Sequence, residues 1–245
     1  LDECEAAGVT IRVSSPIESV AREGDGFMVA TETGALYGES VVVATGGLSI
    51  PKMGASGIGY QLARDFGLPL RPTRAALVPF TLGPAERQRF GELSGVGLDV
   101  EARCGEASFD AGLLFTHRGL SGPAMLQVSS YWQPGEAVEI DWFGGEDIAS
   151  WLAERQAARP DAGLASVLAE RFPKRLAACL ATQLDAGERR LRQLAAPECA
   201  VLAEQLSAWR FRPDGTEGYR TAEVTLGGVD TNALSSATLA AREVD

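Results

Sequence analysis

The sequence is short of the residues that build metal sites and disulfide frameworks. Its 245 residues include one histidine and four cysteines, and the cysteines are far apart with no C-x-x-C pair. Zinc sites need Cys and His at short spacing, and disulfide scaffolds occur in small secreted chains that are dense in cysteine. We therefore expect no metal site, and we expect free, buried thiols in a reducing cytoplasm.

Long apolar runs are also absent. No run approaches the roughly 18 residues that span a membrane, and no basic segment followed by an apolar one opens the chain. These features favour a cytoplasmic protein with no membrane partner.

Positive charge is scarce. The 22 Lys and Arg residues face 33 Asp and Glu residues, a formal net charge of -11, which disfavours a free-standing nucleic-acid binder. Between Trp151 and Arg212, however, ten basic residues outnumber seven acidic ones, so this stretch carries +3 and the remainder -14. A polyanion could dock only here; the alternative is an ordinary solvated helix face.

The most informative stretch of the chain is residues 40–47 (SVVVATGG). An unbroken β-branched run predicts a strand buried on both faces of a parallel sheet, and a ligand is expected where the strand ends in glycines. The alternative is an ordinary strand followed by a glycine turn. Upstream, residues 9–13 alternate as a strand does, and short segments separated by turns over residues 17–37 predict an antiparallel meander.

A second glycine motif follows at Gly54, Gly57 and Gly59, and it leads into a helical pattern that Gly67 ends. A glycine loop that opens a helix directs free backbone N–H groups at an anion. The spacing is not that of the dinucleotide fingerprint, and simple loop punctuation is the alternative.

Beyond residue 74 the sequence pattern changes. Short alternating segments between residues 96 and 143 predict a small antiparallel β-barrel, and leucines at helical spacing over 147–209 predict about four short helices. Residues 221–226 predict a strand that again ends in paired glycines, Gly227 and Gly228.

Four stretches together resemble the BaiN-like family of NAD(P)/FAD-dependent flavoproteins. They are residues 42–51 (VVATGGLSIP), 76–81 (ALVPFT), 114–123 (LFTHRGLSGP) and 215–231 (GTEGYRTAEVTLGGVDT). The match covers nearly the whole chain in the family's own order.

The resemblance implies an α+β, multi-domain fold, in which a glutathione-reductase-like FAD domain is interrupted by an insert of a small β-barrel and a helical subdomain. We therefore assign residues 1–73 to a partial FAD-binding domain, 74–146 to the barrel part of the insert and 147–212 to its helical part. Residues 213–245 would return to the barrel edge and the FAD domain.

The resemblance also implies site residues. Thr45, Gly46 and Gly47 look like flavin-nucleotide contacts, and Gly227, Gly228 and Val229 like backbone lining beside the flavin ring.

The catalytic candidates are His117, as proton donor, and Arg118, as anion-binding guanidinium, because both lie in one glycine-rich turn. A structural histidine is the alternative. Tyr219, Arg220 and Glu223 are weaker candidates, since Arg220 and Glu223 could pair across a strand turn.

By the same resemblance the chain is an internal fragment, with N- and C-terminal segments of the same protein missing, so we expect weak or no FAD retention. The whole protein would pass hydride from NAD(P)H through FAD to an unsaturated substrate, either a small molecule such as a steroid-type enone or a uridine in ribosomal RNA. The alternative is a substrate-, RNA- or protein-binding module that is inactive as an isolated fragment.

Overall fold

The computed structural model describes residues 1–186 and 189–242, and the chain divides into two compact units. Unit 1 comprises Leu1–Gly47, Ser56–Arg71 and the described part of Gly228–Asp245. Unit 2 comprises Leu48–Ala55 and Pro72–Gly227. The last three residues of the predicted 213–245 segment lie outside the described residues. Within the described part of the chain, no helix has both the length and the apolar character needed to cross a bilayer.

Unit 1 is built on a meander and two helices. The elements are α1 (Asp2–Ala6), β1 (Ile17–Glu23), β2 (Gly26–Thr31), β3 (Gly34–Gly38) and α2 (Ile58–Asp65). The strands pair antiparallel in the order β1-β2-β3, as the turn residues predict.

The predicted buried strand at residues 40–47 is wrong for this structure. The segment has no strand conformation, and Val42 and Val43 are 87% and 52% exposed. The physical reason is pairing: a parallel strand needs neighbours for its N–H and C=O groups, and no described strand pairs with these residues. Residues 9–13 likewise form no strand.

Unit 1 buries few apolar side chains. Leu62 and Ala63, both on α2, are the buried hydrophobic residues among those described for this unit, whereas Ile11 and Val13 are exposed. Because burial of apolar area is the main favourable term in folding, unit 1 has a weak core of its own.

Unit 2 contains a seven-stranded antiparallel sheet among the described residues, with order β10-β9-β6-β7-β8-β5-β11. Its strands are β5 (Phe80–Thr81), β6 (Gly97–Cys104), β7 (Ala107–Phe115), β8 (Gly119–Ser121), β9 (Val138–Asp141), β10 (Trp209–Phe211) and β11 (Gly215–Thr216). Separately, β4 (Leu70–Ala76) pairs with β12 (Val224–Val229). The predicted strand at 221–226 is thus shifted, and the glycine pair lies within β12 rather than after it.

The predicted small barrel is not closed. β10 and β11 are the two edges of the sheet and share no ladder among the described residues. β11 is only two residues long and so offers few backbone groups for pairing with β10. The sheet is nevertheless barrel-like, since the Phe80 ring on β5 packs against Trp132 at 5.4 Å and against Phe211 on β10 at 6.0 Å.

Six helices accompany the sheet in the described part of unit 2. They are α3 (Pro84–Phe90), α4 (Pro123–Ser129), α5 (Ile148–Ala158), α6 (Leu164–Leu168), α7 (Lys174–Gln183) and α8 (Ala196–Ser207). The predicted helical stretch 147–209 contains α5 to α8. Asp147 caps α5 by accepting a hydrogen bond from the Ser150 N–H at 3.0 Å, and the hydrogen bonds from Ser150 lower the pKa of that carboxyl.

One hydrophobic core joins the sheet to the helices of unit 2. Trp142 after β9 packs on Trp209 of β10 with ring centroids 5.2 Å apart, and Phe143 contacts Trp151 of α5 at 5.2 Å and Phe172 at 5.0 Å. We therefore expect the helices and the sheet of this unit to unfold together.

We expect Phe80→Ala to lower the free energy of unfolding by about 3–5 kcal/mol, because a fully buried aromatic ring leaves a cavity. Chemical denaturation followed by tryptophan fluorescence measures the change. Leu114→Ala on β7 is the control, since Leu114 is 40% exposed and its truncation costs far less. Equal losses would show that Phe80 has no special place in the core.

Candidate functional site

In unit 1, the residues after the 40–43 run meet the start of α2. A Cβ built on Gly59 would lie inside van der Waals contact with Thr45 Oγ1, so the two glycine motifs of the sequence are neighbours. Gly46 has φ +70°, and a Cβ placed there would meet nothing within 4 Å. Thr45 and Gly46 thus form an open corner beside the first turn of α2.

The first turn of α2 presents free backbone donors. Tyr60 and Gln61 both donate to the Gly57 carbonyl at 3.1 Å, whereas the N–H groups of Ile58 and Gly59 have no acceptor among the described residues. No described side chain caps this helix end. Free N–H groups and the positive end of the helix dipole favour an anion at this corner.

Gly228 reaches the same helix turn. It is buried with φ +112°, and a Cβ on it would lie 3.2 Å from Tyr60 Cε1. Consecutive residues of α2, Gly59 and Tyr60, therefore contact both predicted glycine corners of unit 1, one at Thr45 and one at Gly228.

The chain leaving this corner is held by polar contacts. Val229 is half-buried, and the Asp230 N–H donates to the Pro69 carbonyl at 2.8 Å. The Asp230 carboxylate accepts a hydrogen bond from the Asn232 N–H at 3.0 Å and pairs with Arg71 at 2.7 Å. The hydrogen bond from Asn232, more than the charge of Arg71, lowers the pKa of this carboxyl.

Gly227 belongs to unit 2, and its lack of a side chain has a local cause. Its φ is +84°, and a Cβ would collide with the Pro72 carbonyl of the neighbouring strand β4. The strand pairing alone therefore requires glycine at 227.

The His117-Arg118 turn of unit 2 is fixed by hydrogen bonds. Thr116 Oγ1 accepts from the N–H groups of Arg118 at 3.2 Å and Gly119 at 3.0 Å. The Arg118 carbonyl accepts from the Leu82 N–H at 3.0 Å. His117 is exposed at the tip of this turn, so its imidazole is accessible from solvent.

Arg118 does not stand alone. Its guanidinium lies 3.6 Å from Glu217 Oε2, and Arg220 lies 4.0 Å from the same oxygen. The Glu217 side chain is only 11% exposed, so one shielded carboxylate orients two guanidiniums and leaves one positive charge in excess. Arg220 is thus placed beside Glu217, not Glu223, which was its predicted alternative partner.

Tyr219, between Glu217 and Arg220 in the chain, carries a buried polar atom. Its hydroxyl is buried and has no hydrogen-bond partner among the described residues, and an unpaired buried hydroxyl costs free energy. The Tyr219 carbonyl accepts from the Ile50 N–H at 2.9 Å, and Leu48 N–H donates to Thr225 Oγ1 at 2.8 Å. These bonds hold the half-buried residues 48–50 against β12 and the turn at Tyr219 that precedes it.

Glu217 is the functional candidate that sequence reasoning missed. An acidic residue between two glycines gives no periodic signal, and its basic partner Arg118 is 99 positions away. The Glu-x-x-Arg spacing to Arg220 is the single local hint.

The four thiols play no part in these clusters. All are free; Cys104 is buried and the other three are half-buried. Burial raises the pKa of the thiols of Cys104, Cys179 and Cys199, which keeps them protonated and unreactive at neutral pH. No group of three or more potential metal ligands occurs in residues 1–186 and 189–242.

The residues at the unit 1 corner fit a phosphate group such as those of FAD. The space that a Cβ on Gly46 would enter is open, and the adjacent N–H groups of α2 have no acceptor among the described residues, as binding of a phosphate requires. In unit 2, the Tyr219 hydroxyl is a polar group that a bound ligand could satisfy.

The barrel-like sheet with its attached helices, beside a second compact unit, defines a mixed α+β protein of two units. The chain belongs to the HI0933-like protein barrel and H2TH domain family, whose profile matches residues 74–224.

Three curated relatives align with nearly the whole chain. It is 48% identical over 246 residues to the ribosomal RNA dihydrouridine synthase of Escherichia coli K12, covering 100% of this chain, and 40% identical over 249 residues to the enzyme of the same name from Haemophilus influenzae, covering 99%. It is 25% identical over 261 residues to the 3-dehydro-bile acid delta(4,6)-reductase of Clostridium scindens, covering 97%. The chain spans 61% of the length of each relative.

These relatives are enzymes of reductive chemistry by their names, which supports the oxidoreductase interpretation of the sequence at that coarser level. The resemblance is stronger to the two synthases than to the bile acid reductase.

The proximity of Thr45 to α2 is testable by a rescue experiment. We expect Gly59→Ala to lower the free energy of unfolding of unit 1 by roughly 1–3 kcal/mol through overpacking, measured by hydrogen exchange of the α2 amides. In a Thr45→Ala background, which removes Oγ1, the same change should be neutral or stabilising by about 1 kcal/mol because alanine favours a helix. Equal effects in both backgrounds would contradict the proximity of Thr45 and Gly59.

Proposed function

We propose that the whole protein is an FAD-dependent oxidoreductase that takes hydride from NAD(P)H and reduces a uridine of ribosomal RNA to dihydrouridine. The observation that carries this proposal is the 48% identity to a ribosomal RNA dihydrouridine synthase over the full length of this chain. The open glycine corner of unit 1 supports the cofactor part of this proposal. The charged cluster of unit 2 supports the substrate part.

Thr45, Gly46, Gly47, Gly228 and Val229 are the residues that would hold FAD. Their part is to bring backbone close to the cofactor and to offer the N–H groups of α2 to its phosphates. Gly227, whose glycine the strand pairing already requires, would line the flavin ring with backbone only. The bound flavin supplies a hydride carrier between nicotinamide and substrate.

His117 and Arg118 would act on the substrate. Saturating the C5–C6 bond of uracil takes one hydride and one proton, and an exposed imidazole on a hydrogen-bonded turn is suited to deliver the proton. The guanidinium of Arg118, oriented by Glu217 at 3.6 Å, would bind an anionic or carbonyl oxygen of the substrate.

The weak core of unit 1 supports the assignment of residues 1–73 to a partial FAD-binding domain; the segments 74–146, 147–212 and 213–245 remain part of the proposal. We infer that further segments of the same protein pair with residues 41–43, of which Val42 and Val43 are exposed, and complete the FAD domain, which is the glutathione-reductase-like part of the proposal. On this basis the present chain alone retains FAD weakly or not at all. Stoichiometric FAD absorbance on the desalted 245-residue chain would contradict this.

Reduction of a small unsaturated molecule, the BaiN-like alternative, rests on the 25% relative. A binding module without activity is the other alternative. Incubating the whole protein with NADH or NADPH and unmodified ribosomal RNA, then measuring dihydrouridine by mass spectrometry, separates the three. Dihydrouridine formation supports the proposal; NAD(P)H oxidation only with small enones, or RNA binding without reduction, overturns it.

In the whole protein, we expect His117→Ala to retain FAD and to be reduced by NAD(P)H normally, while dihydrouridine formation slows by about 10²–10⁴-fold, the usual contribution of a general acid. Stopped-flow flavin absorbance and RNA mass spectrometry measure the two halves separately. A normal rate of dihydrouridine formation would exclude His117 as proton donor.

In the whole protein, we expect the Gly46→Val variant to lose FAD, because the new side chain enters the open corner beside α2. Gly8→Val is a matched control: Gly8 is also in unit 1, has φ +71°, and a Cβ on it meets nothing within 4 Å, so the backbone strain is similar and only the place differs. FAD content after desalting is the readout. Equal FAD loss in both variants would show strain rather than a cofactor contact.

A further inference from the structure

Four exposed basic side chains lie on two helices of unit 2: Arg87 and Arg89 on α3, and Lys174 and Arg175 on α7. None of them pairs with a carboxylate among the described residues. By contrast, six of the ten basic residues between positions 151 and 212 do: Arg155, Arg159, Arg171, Arg189, Arg192 and Arg210. Most of the positive charge in the helical region is therefore neutralised locally. Arg190 and Arg212, like Lys174 and Arg175, are exposed and have no carboxylate partner among the described residues.

Two contacts place the elements that carry these cations side by side. Cys179 Sγ of α7 donates to the Arg89 carbonyl at 3.6 Å, and the Arg175 guanidinium donates to the Glu92 carbonyl at 2.7 Å. The end of α3 thus lies against the first half of α7. We call the surface formed by Arg87, Arg89, Lys174 and Arg175 the α3–α7 basic face.

Two carboxylates lie on the same elements. Glu86 Oε2 is 3.1 Å from the Cβ position of Gly83, so this side chain turns back to the start of α3. Glu92 is exposed in the turn after α3. With both counted, the face keeps an excess of two positive charges in a chain whose net charge is -11.

The start of α3 lies close to the backbone of the candidate substrate cluster. The Leu82 N–H donates to the Arg118 carbonyl at 3.0 Å, and α3 begins two residues later at Pro84. The helix that carries Arg87 and Arg89 therefore begins next to the His117-Arg118 turn.

We propose that the α3–α7 basic face binds backbone phosphates of the RNA that flanks the target uridine. The inference rests on the proposed function for its choice of partner. Lys and Arg side chains that are free of carboxylates replace counterions along a phosphate backbone, and this local attraction is what an acidic protein needs to hold RNA at all. Helical residues 147–212 would then contribute through the start of α7 rather than through their overall charge.

The test measures binding of the whole FAD-loaded protein to a uridine-rich single-stranded RNA oligonucleotide at several salt concentrations. We expect Arg87→Ala with Arg89→Ala, and separately Lys174→Glu, to weaken binding roughly tenfold at low salt. The slope of log K against log salt should fall by about 1 for each phosphate that the variant no longer neutralises. Thermal unfolding verifies that each variant is folded.

The matched control is Arg155→Ala with Arg192→Ala, which also removes two positive charges, but from ion-paired positions of the helical region. Arg155 pairs with Glu170 and Arg192 with Asp161, each at 2.7 Å, so we expect little change in affinity or slope. An equal loss of affinity in the control would show that the effect comes from net charge alone, and would overturn the proposal. Binding of RNA by the face variants with wild-type affinity would also overturn it.

Dihydrouridine formation separates this inference from the proposed function. If the wild type reduces ribosomal RNA while the face variants bind RNA unchanged, the face is wrong and the function stands. If RNA binding depends on the face but no dihydrouridine forms, the face stands and the proposed reaction is wrong.

Discussion

The packing of Phe80 against Trp132 and Phe211 is the interaction on which unit 2 depends. The edges of its sheet share no hydrogen-bonded ladder among the described residues, so side-chain packing brings β5 close to β10. The same strand fixes the candidate substrate cluster, because a Cβ on Gly119 would collide with the Phe80 carbonyl. Hydrophobic packing in the sheet interior thereby sets the place of a charged turn at its rim.

The two units differ in how far sequence patterns predict them. Helices α5 to α8 and the strands of the meander follow from local periodicity, and their partners lie within the described chain. Residues 40–47 have an equally strong pattern, yet Val42 is 87% exposed. A β-branched run specifies the tendency to form a strand, but the strand exists only where neighbours supply hydrogen bonds and cover both faces.

The site divides in the same way. The glycine corners were predictable because a positive φ such as the +70° of Gly46 excludes most other residues. That Gly59 and Tyr60 would lie against both Thr45 and Gly228 was not, since the packing joins positions far apart in the chain. Glu217 was missed for a similar reason. Its side chain matters because it lies beside Arg118 and Arg220, and no local sequence pattern predicts that proximity.

Charge shows why composition is a poor guide to partners at this scale. The net charge of -11 argues against nucleic acid, but most exposed ion pairs cancel at short range and contribute little to the field a few ångströms away. A phosphate is attracted by the positive charge that is not cancelled in this way. In unit 2 the junction of α3 with α7 and the Arg118–Arg220 pair are two places where such an excess remains. An acidic chain can therefore repel polyanions over most of its surface and still attract one at a local basic surface.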